Sequence, residues 1–120
     1  RVKLLCDLSH DRMPEVLRAA DLFALCSLKE MMPIALLEAI ASGLPALVHR
    51  YPVEAWMIGE GGRAIDMARD GALADAVRNF MREDLRVDAS RQARQRAVNT
   101  FARDVVVDQM MDFYRKVRAS

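Results

Sequence analysis

Ser27 to Pro45 reads SLKEMMPIALLEAIASGLP, and its punctuation decides the fold around it. Just before it, Leu22-Phe23-Ala24-Leu25-Cys26 is a short unbroken apolar run, which is what a strand buried on both faces of a parallel sheet requires. Ser27 to Met32 is too polar to continue that strand. Pro33 suits the first turn of a helix, where its missing N–H costs nothing. Ile34, Leu37, Ile40 and Ala41 follow at helical spacing, so a helix from Pro33 to Ser42 is expected to lay that face on the sheet. Gly43 can adopt the left-handed conformation that ends a helix, and Pro45 stops it from resuming. Ala46-Leu47-Val48 then opens the next strand, giving strand, loop, helix and strand in succession.

Working outward, Val2 to Cys6 is expected to be the first strand. Asp11 is placed to cap a helix whose first turn holds Pro14 and Glu15 and whose apolar face is Val16, Leu17 and Ala20. Asp21 ends that helix, either as a turn residue bonding nearby backbone or as part of a site. After Ala46 to His49, the segment from Pro52 to Ile58 reads as a short helix presenting Trp56 and Met57 to the core. Gly59-Glu60-Gly61-Gly62 reads as a plain loop rather than a phosphate cradle, leading into Arg63-Ala64-Ile65 as a last strand. Three helical stretches follow: a stripe of Leu73, Val77, Phe80 and Met81, then Val87 to Phe101, then Asp104 to Arg118. This alternation predicts an α/β fold, a parallel Rossmann-like sheet with flanking helices. Residues 1–120 read as a single domain, with an α/β portion over 1–67 and C-terminal helices over 68–120.

The geometry of the opening stretch carries chemistry. A helix starting near Pro33 turns its free N–H groups and the positive end of its dipole toward the crevice beyond the strand's carboxyl end, a setting that favours a phosphate. Glu30, before the helix, and Glu38, inside it, are about a turn and a half apart and not stacked neighbours. They are placed for two different parts of one elongated ligand. Two solvated glutamates on an ordinary α/β unit would leave the same trace.

Glu30 and Glu38 form an E-x7-E pattern in register with the string EAIASGLP. With the strand before it, the segment resembles the nucleotide-sugar site of retaining glycosyltransferases of the GT-B fold, the glycosyl transferase group 1 family, or family 4. The likeness covers most of Val2 to Met67 and, more loosely, the helices after it. It implies the later portion of a GT-B C-terminal domain and transfer of a sugar from a nucleoside-diphosphate sugar with retention of configuration. It also implies that Glu30 accepts from the donor sugar and is the catalytic candidate, that Pro33 to Leu36 flank the diphosphate, and that Glu38 bonds the ribose hydroxyls. Pro33 has no N–H, so the amides of Ile34, Ala35 and Leu36 are the expected phosphate donors. The chain departs from the family at Glu30-Met31-Met32-Pro33, where glycines commonly let the backbone approach the ligand. The likeness implies further that an N-terminal acceptor-binding domain is missing and that the isolated chain does not turn over alone. Arg1 standing directly on a strand agrees with a piece of a longer polypeptide.

Composition limits the alternatives. The chain has 120 residues and a formal net charge of +1, which gives no general affinity for nucleic acid. No apolar run approaches membrane-spanning length. Cys6 and Cys26 sit in apolar runs and read as reduced core residues of a cytosolic protein. No Asp-x-Asp triad and no His/Asp cluster at ligand spacing is present, so neither a metal nor another cofactor is expected. His10 and His49 have no partner at catalytic spacing, although His49 ends a strand on the crevice side. Lys29 could serve a phosphate or pair with Glu30.

Two other functions are open to this sequence. A pair of carboxylates can build a glycoside hydrolase, but those groups converge across a cleft, whereas Glu30 and Glu38 share one loop-helix unit beside a dipole that favours anions. A non-catalytic, transferase-derived binding or interaction module is the second. Residues 78–103 hold seven arginines against three acids, a solvated face or a contact for anionic lipid at the inner face of the membrane. The last helix carries Val106, Met110, Phe113, Tyr114 and Val117 along one side, which suits a core face or a partner.

Overall fold

The computed structural model describes residues 2–119; Arg1 and Ser120 lie outside the described residues. A single turn of 3-10 helix at His10–Arg12 runs into α1 (Met13–Arg18). There follow β1 (Phe23–Leu25), α2 (Ile34–Ala41), β2 (Ala46–His49), α3 (Pro52–Ile58), β3 (Gly62–Ile65), α4 (Ala72–Phe80) and α5 (Glu83–Arg96). A π-helical segment, Ala97–Phe101, joins α5 to α6 (Arg103–Ala119). The three strands form one parallel sheet in the order β1-β2-β3, with Phe23 opposite Ala46 and Ala46 opposite Gly62. This is the α/β, Rossmann-like arrangement that the alternation of strands and helices predicts.

Successive side chains on a strand face opposite ways, and β2 shows what each face meets. Ala46 and Val48 lie in one buried cluster with Leu36 and Ile40 of α2, Met57 and Ile58 of α3, and Ala93 and Ala97. Leu47 lies in another with Ala76 and Phe80 of α4 and Ala89 of α5. Helix α5 serves both clusters, one through Ala89 and the other through Ala93. Its small residues let it lie close: a Cβ added at Gly61, in the turn before β3, would come 2.5 Å from the Cα of Ala93. Gly61 in this turn therefore serves packing, since no side chain would fit there. A third small cluster joins Leu17 of α1 to Ala39 and Leu44.

Several sequence expectations change. Val2 to Cys6 is not a strand: the segment makes no ladder with β1, and Val2, Leu4 and Leu5 are exposed. An apolar run becomes a strand only with a partner edge, and after this one Asp7 turns the chain at φ 52, a conformation that Asp tolerates. β1 is correspondingly an edge strand, half-buried with Ala24 exposed, not a strand buried on both faces. Cys6 and Cys26 are both exposed free thiols rather than core residues: Cys6 lies on the exposed N-terminal segment, and Cys26 stands one residue past the end of β1. Asp11 falls inside the 3-10 turn, with Ser9 in the cap position. Helix α2 buries Leu36, Ala39 and Ile40 and leaves Ile34 exposed, one step around from the expected face. On α4 the buried stripe is Ala72, Ala76 and Phe80, while Val77 and Met81 face outward.

Candidate functional site

Every strand of a parallel sheet delivers its carboxyl end to the same edge. Here that edge carries the loop from Ser27 to Pro33, the start of α2, and the turns after His49 and Ile65. Pro33 occupies the N-cap of α2 in an extended conformation, φ -69 and ψ 115, so its ring closes no helical bond. Its carbonyl accepts from the amides of Leu36 at 3.1 Å and Leu37 at 3.3 Å. The amides of Ile34 and Ala35 have no acceptor among the described residues, and both side chains are exposed. Of the three amides expected to meet a phosphate, two are thus free at the surface; that of Leu36 is engaged within the helix and its side chain is buried.

Glu30 is half-buried on the loop before α2. Glu38 lies farther along α2 with 29% of its side chain exposed, and its Oε1 is 3.5 Å from His10 Nε2. His10, Met13, Pro14, Leu17, Glu38, Ala41 and Ser42 line an open cleft of about 230 Å³ between α1 and α2. The structure therefore brings Glu38 together with His10, and Glu30 is not among the residues that line the cleft. The 3-10 turn that carries His10 is held locally: a hydrogen bond with the Ser9 side chain, then one with its own amide, keeps the Asp11 carboxyl below the ordinary carboxylate value.

Sequence spacing gave His10 no partner, because the contact joins residues far apart in the chain. His49, at the end of β2, accepts a hydrogen bond on Nδ1 from the amide of Met67 at 3.2 Å, which leaves the proton of the neutral ring on Nε2. Beside it, Arg50 bonds Asp66 through Nη2 and Oδ2 at 2.7 Å, tying the two turns of this edge together. Asp21 stands away from this edge, 3.8 Å from Arg86, and serves the α5 contact instead.

One buried carboxylate has no counterpart among the residues the sequence singles out. Glu54, in the first turn of α3, is 0% exposed, and neither of its oxygens has a hydrogen-bond partner. A glutamate just after a helix-starting proline reads as a solvated first-turn residue, so only the packing of α3 shows its burial. Trp56, expected in the core, is half exposed; its ring meets Phe101 edge-on at 5.3 Å and lies 5.2 Å from the Arg96 guanidinium. The same guanidinium bonds the carbonyl of Trp56 at 2.6 Å, closing the end of α3.

Among the described residues no group of His, Cys, Asp and Glu side chains is arranged to hold a metal ion, and no helix is long and apolar enough to cross a membrane. No curated protein matches this chain. The family model described as "Glycosyl transferases group 1" matches residues 1–96, from the N-terminal segment through the whole of α5. That range contains the sheet, the open start of α2 and both glutamates. The chain belongs to the glycosyl transferases group 1 family, and its general activity is glycosyl transfer.

Proposed function

We propose that this chain supplies the donor half of a retaining GT-B glycosyltransferase, holding a nucleoside-diphosphate sugar across the start of α2. In this reading the amides of Ile34 and Ala35 meet the diphosphate, Glu38 accepts from the ribose hydroxyls at the α1–α2 cleft, and Glu30 accepts from the sugar. The observation that carries the reading is the open helix start. Two unsatisfied amides at the positive end of an eight-residue helix lie at the sheet edge where α/β proteins bind ligands.

The arrangement has a mechanistic use. Breaking the bond between sugar and diphosphate places growing negative charge on the leaving oxygen, and fixed N–H groups aimed at it stabilise that charge without reorganising. Leu36, whose amide is engaged by Pro33, contributes through its buried side chain, which anchors the helix start that presents the other two amides. Of the cations at this edge, Arg50 is paired with Asp66, whereas Lys29 stands exposed on the loop before α2, the cation this reading offers the diphosphate. In this reading the acceptor site belongs to a separate N-terminal part of the enzyme.

A thermal-shift screen of nucleoside diphosphates and their sugars tests this reading, since a ligand that binds only the folded protein raises its melting temperature. At least one nucleoside diphosphate should stabilise the protein, with Glu38→Ala weakening its affinity by about tenfold, the loss of a charge-assisted pair of hydrogen bonds. Unchanged affinity in Glu38→Ala would contradict the assigned role. No shift with any nucleotide would favour the non-catalytic binding module.

A further inference from the structure

From Met31 to Ala35 the loop and the start of α2 offer no side chain that can donate a hydrogen bond; the thioether sulfurs of Met31 and Met32 are weak acceptors, and Pro33, Ile34 and Ala35 have neither function. Met31, Met32 and Ile34 are exposed, and so is Leu28 earlier on the same loop. The charged residues of the loop, Lys29 and Glu30, come before the methionines. An apolar patch left open beside a ligand site is a statement about the ligand.

Neighbours in the chain fix which part of a ligand meets that patch. In the donor-site reading, on which this inference rests, Glu30 accepts from the sugar and the amides of Ile34 and Ala35 meet the diphosphate. Met31 and Met32 join the one to the others, so the part of a donor next to them is the sugar itself. Neither methionine takes a positive φ, so the loop follows a course open to residues with side chains. Its backbone could serve a sugar hydroxyl only by close approach, which glycine permits and a methionine side chain obstructs. A hydroxyl turned toward this patch gives up its bonds to water and meets no side-chain donor, which is costly for a polar group. A methyl group gives up nothing there, and flexible thioether side chains can close around it. On a hexose ring, only the exocyclic carbon becomes a methyl when its hydroxyl is absent.

We propose that the donor sugar of this chain is a deoxyhexose whose exocyclic carbon is a methyl group, set against Met31 and Met32. The two methionines then determine which sugar is accepted and take no part in breaking its bond to the diphosphate.

Calorimetric titration of matched donors tests the proposal. Each of UDP-glucose, UDP-galactose, GDP-mannose and dTDP-glucose is compared with the same compound carrying a methyl in place of its hydroxymethyl group, and each nucleoside diphosphate is titrated alongside. Wild-type protein should bind at least one methyl donor about tenfold more tightly than its hydroxymethyl partner. Met31→Ser with Met32→Ser, which puts hydroxyl partners on the loop, should abolish the preference, and each single variant should reduce it. Both side chains are exposed, and melting temperatures check that the variants keep the fold. Equal affinities within every pair, as would follow if another part of a longer polypeptide covers the loop, overturn the proposal while nucleoside diphosphate binding leaves the donor site standing. Tighter binding of the hydroxymethyl donors, or a preference that survives the double substitution, overturns it as well. If no nucleoside diphosphate binds, the donor-site reading fails and this one fails with it.

Discussion

The two ends of α2 are treated oppositely. At its last turn the chain closes every exposed group. Ser42 bonds Glu38 and Ala39, Gly43 donates to Ile40 at 3.0 Å and Leu44 to Ala39 at 3.0 Å, with Gly43 in the left-handed conformation that this double closure needs. Helix α5 then reaches across: Ser90 Oγ donates to the Gly43 carbonyl at 2.6 Å and Arg94 to the Ala41 carbonyl. At the first turn nothing comparable happens among the described residues, since Pro33 caps with no side-chain bond and the amides of Ile34 and Ala35 have no acceptor. A helix whose end is tied so thoroughly and whose start is left open has been fixed in place while its donors stay available. Rigidity at one end makes the other usable, because a ligand there does not have to order the backbone that binds it.

Substitutions distinguish the sealed end of α2 from the open one. The largest effect is expected from Ile40→Ala, in the last turn of α2, where a fully buried side chain is lost: about 2–5 kcal/mol of stability, read by denaturant unfolding. A smaller change, of opposite sign, is expected at Glu54. Its buried carboxylate has no partner, so Glu54→Met should raise stability by about 1–3 kcal/mol, visible as a higher melting temperature. A lower one would show that its oxygens are satisfied after all. Ser90→Ala removes one tie at the sealed end and should cost about 1 kcal/mol in the same assay. Ile34→Pro should matter least to stability, within about 0.5 kcal/mol, because the first helical position needs no N–H and Pro33 before it is already extended. If it destabilised as much as Ser90→Ala, the start of α2 would not be open in the sense described.

The strand-loop-helix-strand unit was legible because its signals are local. Pro33, Gly43 and Pro45 mark boundaries through their own backbone chemistry, and β1, α2 and β2 fall between them. What depended on a neighbour was not legible. Val2 to Cys6 has the composition of a strand, but only an adjacent edge could make it one. Cys26 continues an apolar run, yet the sheet stops covering it at Leu25. The buried face of α2 turned out to be Leu36, Ala39 and Ile40, with Leu36 and Ile40 packed beside Ala93 of α5, far away in sequence. At the site, the E-x7-E spacing pointed to Glu30 and Glu38, whereas the approach of His10 to Glu38 and the burial of Glu54 come from tertiary packing that no spacing encodes.

Calorimetric titration of a nucleoside diphosphate into wild-type protein and into Ile34→Pro tests most directly whether the open start of α2 is an anion site. The substitution removes one outward amide and leaves the fold and both glutamates in place. The predicted result is a wild-type affinity that falls by about tenfold in Ile34→Pro, with melting temperatures alike. Equal affinities for the two proteins would contradict the claim.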